Sequence, residues 1–294
     1  MTRNKGILLV IASALLYGFA PVLCSMTYQY GNNPITLTFF RSFFVVILLG
    51  MLMIKNKIPF RCEKGELIRI VGVALFGSIM TTLLLNSSYL YIGVGTATTL
   101  HFLYPLFVTL ICHFVYHDSL SRKHLMALGI CLCGVLLFLD FKDLSKMKGI
   151  LMALISGMTF AVYLVGIDKL KLSKMNSMKL SFYFALTVSV VLGVFGFTTG
   201  QMILNQPAIS YVLMFGVAIM AQWLAVVFLQ QGISVLGSSL ASLFSMFEPV
   251  SCLVFGALLL NETVVIAQAI GCVLILGVLY DKAYVHEDTS FGNR

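Results

Sequence analysis

Charge is what this sequence is short of. Only 10% of its 294 residues are Asp, Glu, Lys or Arg, against roughly 25% in soluble domains, so the chain cannot clothe itself in a water-facing surface. Paired cysteine spacing is missing as well. Cys24, Cys62, Cys112, Cys131, Cys133, Cys252 and Cys272 are scattered, six of them in apolar segments, and no two stand at zinc-ribbon or redox spacing. Cys131 and Cys133 are two apart and do not share a helix face. All are expected to act as small hydrophobes. No phosphate-binding loop exists, because Gly93-Val94-Gly95 lacks a third glycine and lies between two apolar runs. Nor is there a basic patch suited to nucleic acid: the net charge of +8 comes from bases spread between apolar stretches. These absences argue against a soluble enzyme, a nucleotide-driven motor and a nucleic-acid binder. No cofactor, resident metal or nucleic-acid partner is expected.

What remains is hydrocarbon. The chain is 60% hydrophobic with a mean hydropathy of +1.00, and a spanning helix needs about 20 mostly apolar residues. Ten such runs follow one another: 6–26, 34–54, 67–91, 94–116 and 124–139, then 149–167, 178–199, 208–232, 237–260 and 264–283. Backbone groups in lipid must be satisfied internally, which makes these runs helices. The bilayer is thus the first partner. Arg3 and Lys5 precede the first run and Ala12-Ser13-Ala14 resembles a cleavage site. The apolar stretch before it is at the short end of a signal-peptide core of about 7–15 residues, so the first helix is expected to be retained.

Lys and Arg assign the sides. With a cytoplasmic N-terminus, fifteen bases fall inside, among them Lys55, Lys57, Arg61, Lys64, Arg69, Arg122, Lys123, Lys169, Lys171 and Lys282. Lys142, Lys146 and Lys148 fall outside, and Arg41 lies within a span. Both termini are expected in the cytoplasm, in a cytoplasmic-membrane protein.

The chain also repeats itself. Asn33-Pro34-Ile35-Thr36-Leu37-Thr38-Phe39-Phe40 returns as Asn176-Ser177-Met178-Lys179-Leu180-Ser181-Phe182-Tyr183 at an offset of 143. At an offset of 144, Gly72-Val73-Ala74 returns as Gly216-Val217-Ala218, Tyr104-Pro105 as Glu248-Pro249, and Asp118-Ser119 as Glu262-Thr263. Each copy holds five spans, an odd number, so the second enters the membrane from the opposite side. The expected fold is all-α and integral to the membrane: ten helices as two inverted five-helix repeats, 1–144 and 145–284, with a short cytoplasmic tail, 285–294. Inverted repeats of this kind build alternating-access carriers whose site lies near the midplane, between the halves.

The pattern resembles the drug/metabolite transporter superfamily, specifically its ten-helix EamA-like members. The marks are Ala14-Leu15-Leu16-Tyr17-Gly18, Phe40-Arg41, Tyr104-Pro105 with His117-Asp118, Phe247-Glu248-Pro249, Asn261-Glu262-Thr263, Gly271 and Gly277. His117-Asp118 stands where the family commonly has Gly-Glu. The resemblance implies a secondary carrier of amino acids, related metabolites or drugs, often an exporter.

Ionisable residues inside a span mark function by default. Arg41 is a candidate for an anionic substrate group and Glu248 for a cation or a coupling proton. Thr98, His101 and Tyr104 form a polar stripe that matches Ser242, Ser245 and Glu248 in the other copy, a candidate cavity lining. Serine and threonine in membranes also serve as interhelical glue. Pro105 and Pro249 each remove a helical hydrogen bond and are candidate hinges. Tyr17, Tyr163, Gln222 and Trp223 are candidate stacking and amide contacts, aromatics otherwise being packing residues. His113, His117 and Asp118 could instead serve a membrane enzyme, the rival function, although the set lacks the glutamate of a zincin motif. Gly129 with Cys133 and Ala267 with Gly271 stand at close-approach spacing and place the fifth and tenth spans in an outer scaffold. A monomer and a homodimer both fit the duplication.

Overall fold

The structure, a computed structural model, describes residues 2–88, 91–92, 94–137, 146–260 and 264–284. Gly93, Asp140, Lys142, Asp143, Asn261-Glu262-Thr263 and the tail lie outside the described residues. The described chain is helical, with apolar helices in the order that the sequence predicts. They are α1 (Arg3–Tyr28), α2 (Pro34–Lys55), α3 (Lys64–Ser88), α4 in two pieces (Val94–His101 and Tyr104–Phe114) and α5 (Arg122–Leu136). The second copy supplies α6 (Met147–Lys169), α7 (Ser177–Thr198), α8 (208–236), α9 (238–260) and α10 (Ile266–Tyr284).

The repeated Asn33 and Asn176 motifs have a local cause. Asn33 Oδ1 accepts from Thr36 N at 2.7 Å, and Pro34 opens α2, where its missing N–H costs nothing. Asn176 Oδ1 accepts from Met178 N and Lys179 N at 3.0 and 3.2 Å and caps α7 in the same way. The two caps start α2 and α7, which then pack along one another.

The copies interlock. In the first, α1 packs on α8 and α9; in the second, α6 packs on α3 and α4, while α5 pairs with α10. The α5–α10 seam is a backbone approach at Gly134, where an added Cβ would lie 2.8 Å from Gly271 O. Gly129 and Cys133 do not make it: a Cβ at Gly129 meets open space, and Cys133 is exposed. The expected small-residue face of α5 is therefore corrected by about one residue, to Gly134.

Two features interrupt the helices at equivalent places in both copies. The segments Ala74–Ile79 in α3 and Ala218–Ala225 in the second copy are π-helical. In α4 the helix breaks at Phe102 and Leu103, and in α9 at Met246. Gly237 (φ 75°, ψ 165°) separates α8 from α9. Each break precedes its proline, so Pro105 and Pro249 sit in the first turn of a new half-helix rather than mid-helix. A proline there starts a helix without losing a bond.

Candidate functional site

Breaking α9 at Met246 puts Glu248 in the first turn of the half-helix Phe247–Leu260. Free N–H groups and the helix dipole favour negative charge at that point. The Glu248 carboxylate has no hydrogen-bond or ion-pair partner among the described residues, and the residue is only partly buried. Break and carboxylate together make a receptive anion in the membrane interior.

Tyr17 of α1 lies beside it. Its electrostatic neighbours are Tyr163, Glu248, Arg41 and Tyr104, so five helices converge on this one phenol. Arg41 of α2 stands near Tyr17, Cys24 and Tyr28, and its Nε has no hydrogen-bond partner among the described residues. Arg41 and Glu248, opposite in charge, thus both lie within electrostatic reach of Tyr17, with no ion pair between them among the described residues. Tyr104, fully buried, lies next to Ser245 and Glu248, and its hydroxyl is within hydrogen-bond geometry of no partner among the described residues.

An aromatic wall continues from Tyr104 along α6. Tyr104 meets Phe160 edge-on at 4.8 Å, and Phe160 stacks on Tyr163 at 5.7 Å. His101 packs on Tyr104 and Phe160 at 5.7 and 5.4 Å. Its Nδ1 lies 3.0 Å from Ser156 Oγ, whose own hydroxyl donates to Ala153 O at 2.6 Å. Ser156 is therefore the acceptor, which assigns the imidazole proton to Nδ1. Gln230 of α8 is buried beside Tyr163. Its Oε1 accepts from Ser181 Oγ at 3.1 Å, and its Nε2 has no partner among the described residues.

The predicted residues Tyr17, Arg41, His101, Tyr104, Tyr163, Ser245 and Glu248 thus come together. Gln222 and Trp223 do not share their recorded contacts. Trp223 packs on a separate apolar cluster with Val45, Leu49 and Ala185, between α2 and α7. Both fall in the π-helical segment, where the wider turn displaces side chains from the faces that a 3.6-residue period assigns. The Phe160 platform and the Ser156 acceptor were not foreseen as site residues. The signal for Phe160 was present, since it occupies Tyr17's position in the other copy.

The rival cluster is otherwise engaged. Asp118 pairs with Lys169 Nζ at 2.5 and 2.7 Å, and His113 Nδ1 lies 3.0 Å from the Asp118 carbonyl. His117 is exposed, with a positive φ of 55°.

Comparison with known proteins gives the general role. The model of the EamA-like transporter family matches residues 4–140 and again 147–280, one match for each copy. The chain belongs to the EamA-like transporter family. It is a multi-pass membrane protein with a transporter's role. An uncharacterized transporter of Bacillus subtilis (strain 168), YcbK, is 23% identical over 292 residues, covering 94% of this chain and 93% of its own. A crystal structure with a TM-score of 0.79 covers 97% of this chain and 99% of its own at 17% identity, a likeness of fold alone. Within this EamA-like fold, the Tyr17 cluster stands where the two copies meet.

Proposed function

We propose that this EamA-like protein is a secondary active transporter that exports amino acids or related small metabolites across the cytoplasmic membrane by alternating access. The observation that carries the reading is the pair of opposite charges, Arg41 and Glu248, both near Tyr17 and with no ion pair between them among the described residues. Leaving a buried polar group unsatisfied costs about 1–3 kcal/mol, more for a charge. A zwitterion satisfies both groups at once: its carboxylate on Arg41, its ammonium on Glu248, its side chain against Phe160 and Tyr163. Repeats 1–144 and 145–284 are the units that rock about this site, both termini being cytoplasmic. Glu248 or His101 carries the coupling proton, and Pro105 and Pro249 stand at the flexing points.

The test is counterflow in proteoliposomes, with pooled radiolabelled amino acids and metabolites, with and without a pH gradient. Saturable counterflow that Glu248→Gln abolishes, or strips of its pH dependence, is the expected result. Wild-type counterflow left intact by Glu248→Gln would remove Glu248 from the cycle. Non-saturable flux would point to a channel instead.

A further inference from the structure

A groove of about 440 Å³ opens on the flank of the molecule, away from the Tyr17 cluster. Its walls are Val73 and Phe76 of α3, Ile111 of α4 with Val115 capping its C-terminus, and Val162 and Val165 of α6. It faces outward, since Phe76 and Val115 are 69% and 63% exposed. In a membrane-spanning helix that exposure is to hydrocarbon. Gly72 creates the space: a Cβ built there would meet nothing within 4 Å. Gly166 sets its floor, for a Cβ there would lie 2.7 Å from Val73 Cγ2, so α3 and α6 pinch together at that level.

The mouth is different in character. Arg69 and Tyr116 line it, both exposed, where the helices end. Arg69 donates from Nε to Gly65 O at 3.1 Å and from Nη1 to Leu170 O at 3.0 Å. Those acceptors are neutral, and Arg69 has no carboxylate partner among the described residues. The nearby acids are occupied. Glu66 turns to the Cys62 thiol and the Glu63 amide, and Asp118 to Lys169. The guanidinium is thus held in place by main-chain carbonyls and keeps its charge for a ligand.

The second copy does not share this mouth. At the repeat offset of 144, Gly72 becomes Gly216, but Arg69 becomes Leu213 and Tyr116 becomes Leu260. Duplication alone therefore accounts for the glycine and not for the charge. We infer that the groove is a binding site for one anionic phospholipid, an acyl chain lying between α3, α4 and α6 and the phosphate on Arg69. An arginine fork suits phosphate, and a tyrosine suits the headgroup boundary. Because α3 and α4 belong to one copy and α6 to the other, such a lipid sits on the joint between the two repeats.

The experiment is native mass spectrometry of the delipidated, full-length protein in neutral detergent. It is titrated with dioleoylphosphatidylglycerol or dioleoylphosphatidylcholine, and unfolding temperature is recorded alongside. Wild type should retain one phosphatidylglycerol about fivefold more tightly than phosphatidylcholine, the contribution of a single basic side chain near a membrane surface. Arg69→Gln should bring the two lipids level. Gly72→Leu, which fills the groove with no clash at its Cβ, should remove tight binding of both while leaving the unfolding temperature in place. Equal affinity for the two lipids in wild type, or unchanged phosphatidylglycerol binding in a folded Gly72→Leu protein, would overturn the inference. Should Gly72→Leu fail to fold, the exposed Arg69→Gln decides alone, an undiminished headgroup preference counting against the site.

Discussion

Arg41 and Glu248 are the two formal charges that the sequence leaves away from the ends of spans, and the structure brings both near one tyrosine. They were legible because charge is so scarce in this chain that each intramembrane instance stands out. Tyr17, Tyr104 and Tyr163 were legible as polar tips on apolar faces. Gln230 was harder to place, because an amide near the end of a hydrophobic run reads equally as a boundary residue. Its burial beside Tyr163 follows from how α6, α7 and α8 meet, which no single segment encodes. The two charges should separate experimentally. Truncating one member of a charge-assisted contact removes about 1.5–3 kcal/mol. Arg41→Gln is therefore expected to weaken half-saturation in counterflow by roughly 10- to 100-fold. Blocking the substrate carboxylate as a methyl ester should weaken wild type by a similar factor and leave Arg41→Gln nearly unaffected. Equal sensitivity of both proteins to the ester would show that Arg41 does not meet that group.

At the level of elements, hydropathy gave the spans and their order, and the repeat gave their pairing. Hydropathy could not give the interruptions. A π-turn needs no proline, and Ala74–Ile79 and Ala218–Ala225 differ little in composition from their surroundings. Pro105 and Pro249 announced breaks but not their position, which lies two or three residues earlier and so turns each proline into a helix start. Gly77 within one π-segment lets α3 pack directly against the site, for a Cβ there would lie 2.7 Å from Tyr163 Cβ. The start of α9 is built differently. Asp168 Oδ2 accepts from Ser238 N and Ser238 Oγ at 2.8 and 2.9 Å, capping α9 from the end of α6. Gly237, just before it, has φ 75° and ψ 165°, a region open essentially to glycine alone and costing other residues about 1–3 kcal/mol. Asp168→Ala should lose about 1 kcal/mol, the worth of a cap, and Gly237→Ala at least as much. Thermal unfolding in detergent measures both. If Gly237→Ala is as stable as wild type, the α8–α9 joint does not hold that conformation in the membrane.

Across the whole molecule, the inverted repeat makes the two ends of the bundle equivalent in backbone while the side chains make them unequal. Asp118 of the first copy and Lys169 of the second form an ion pair at one end, with Lys169 also 5.4 Å above the Tyr116 ring. At the repeat offsets, Asp118 corresponds to Glu262 but Lys169 corresponds to Met26, so the duplication does not repeat this pairing of acid and base. Asp168, which caps α9 at this same end, corresponds to Cys24 or Ser25. Polar ties between the copies cross at both ends, but they differ in kind. The other end has neutral hydrogen bonds, Asn33 Nδ2 to Gln201 O at 2.7 Å and Ile203 N to Thr36 Oγ1 at 3.0 Å, where this end has an ion pair. A carrier that alternates must break them once per cycle, so they should bias its resting state rather than lock it. With side chains 22% and 40% exposed, the Lys169–Asp118 pair is expected to contribute no more than about 1 kcal/mol, a factor of about five in population. The prediction can be read from Ser242, fully buried beneath this end. In a background without native cysteines, Ser242→Cys should react with a membrane-impermeant maleimide from the basic end. Asp118→Asn should raise that rate by up to about fivefold. The exchanged pair, Asp118→Lys with Lys169→Asp, should return it toward the starting rate, because the tie depends on opposite charge and not on which copy supplies the acid. A rate that rises in Asp118→Asn and stays high in the exchange would show that Asp118 acts through its local loop instead. An unchanged rate in both would remove the ion pair from the control of access altogether.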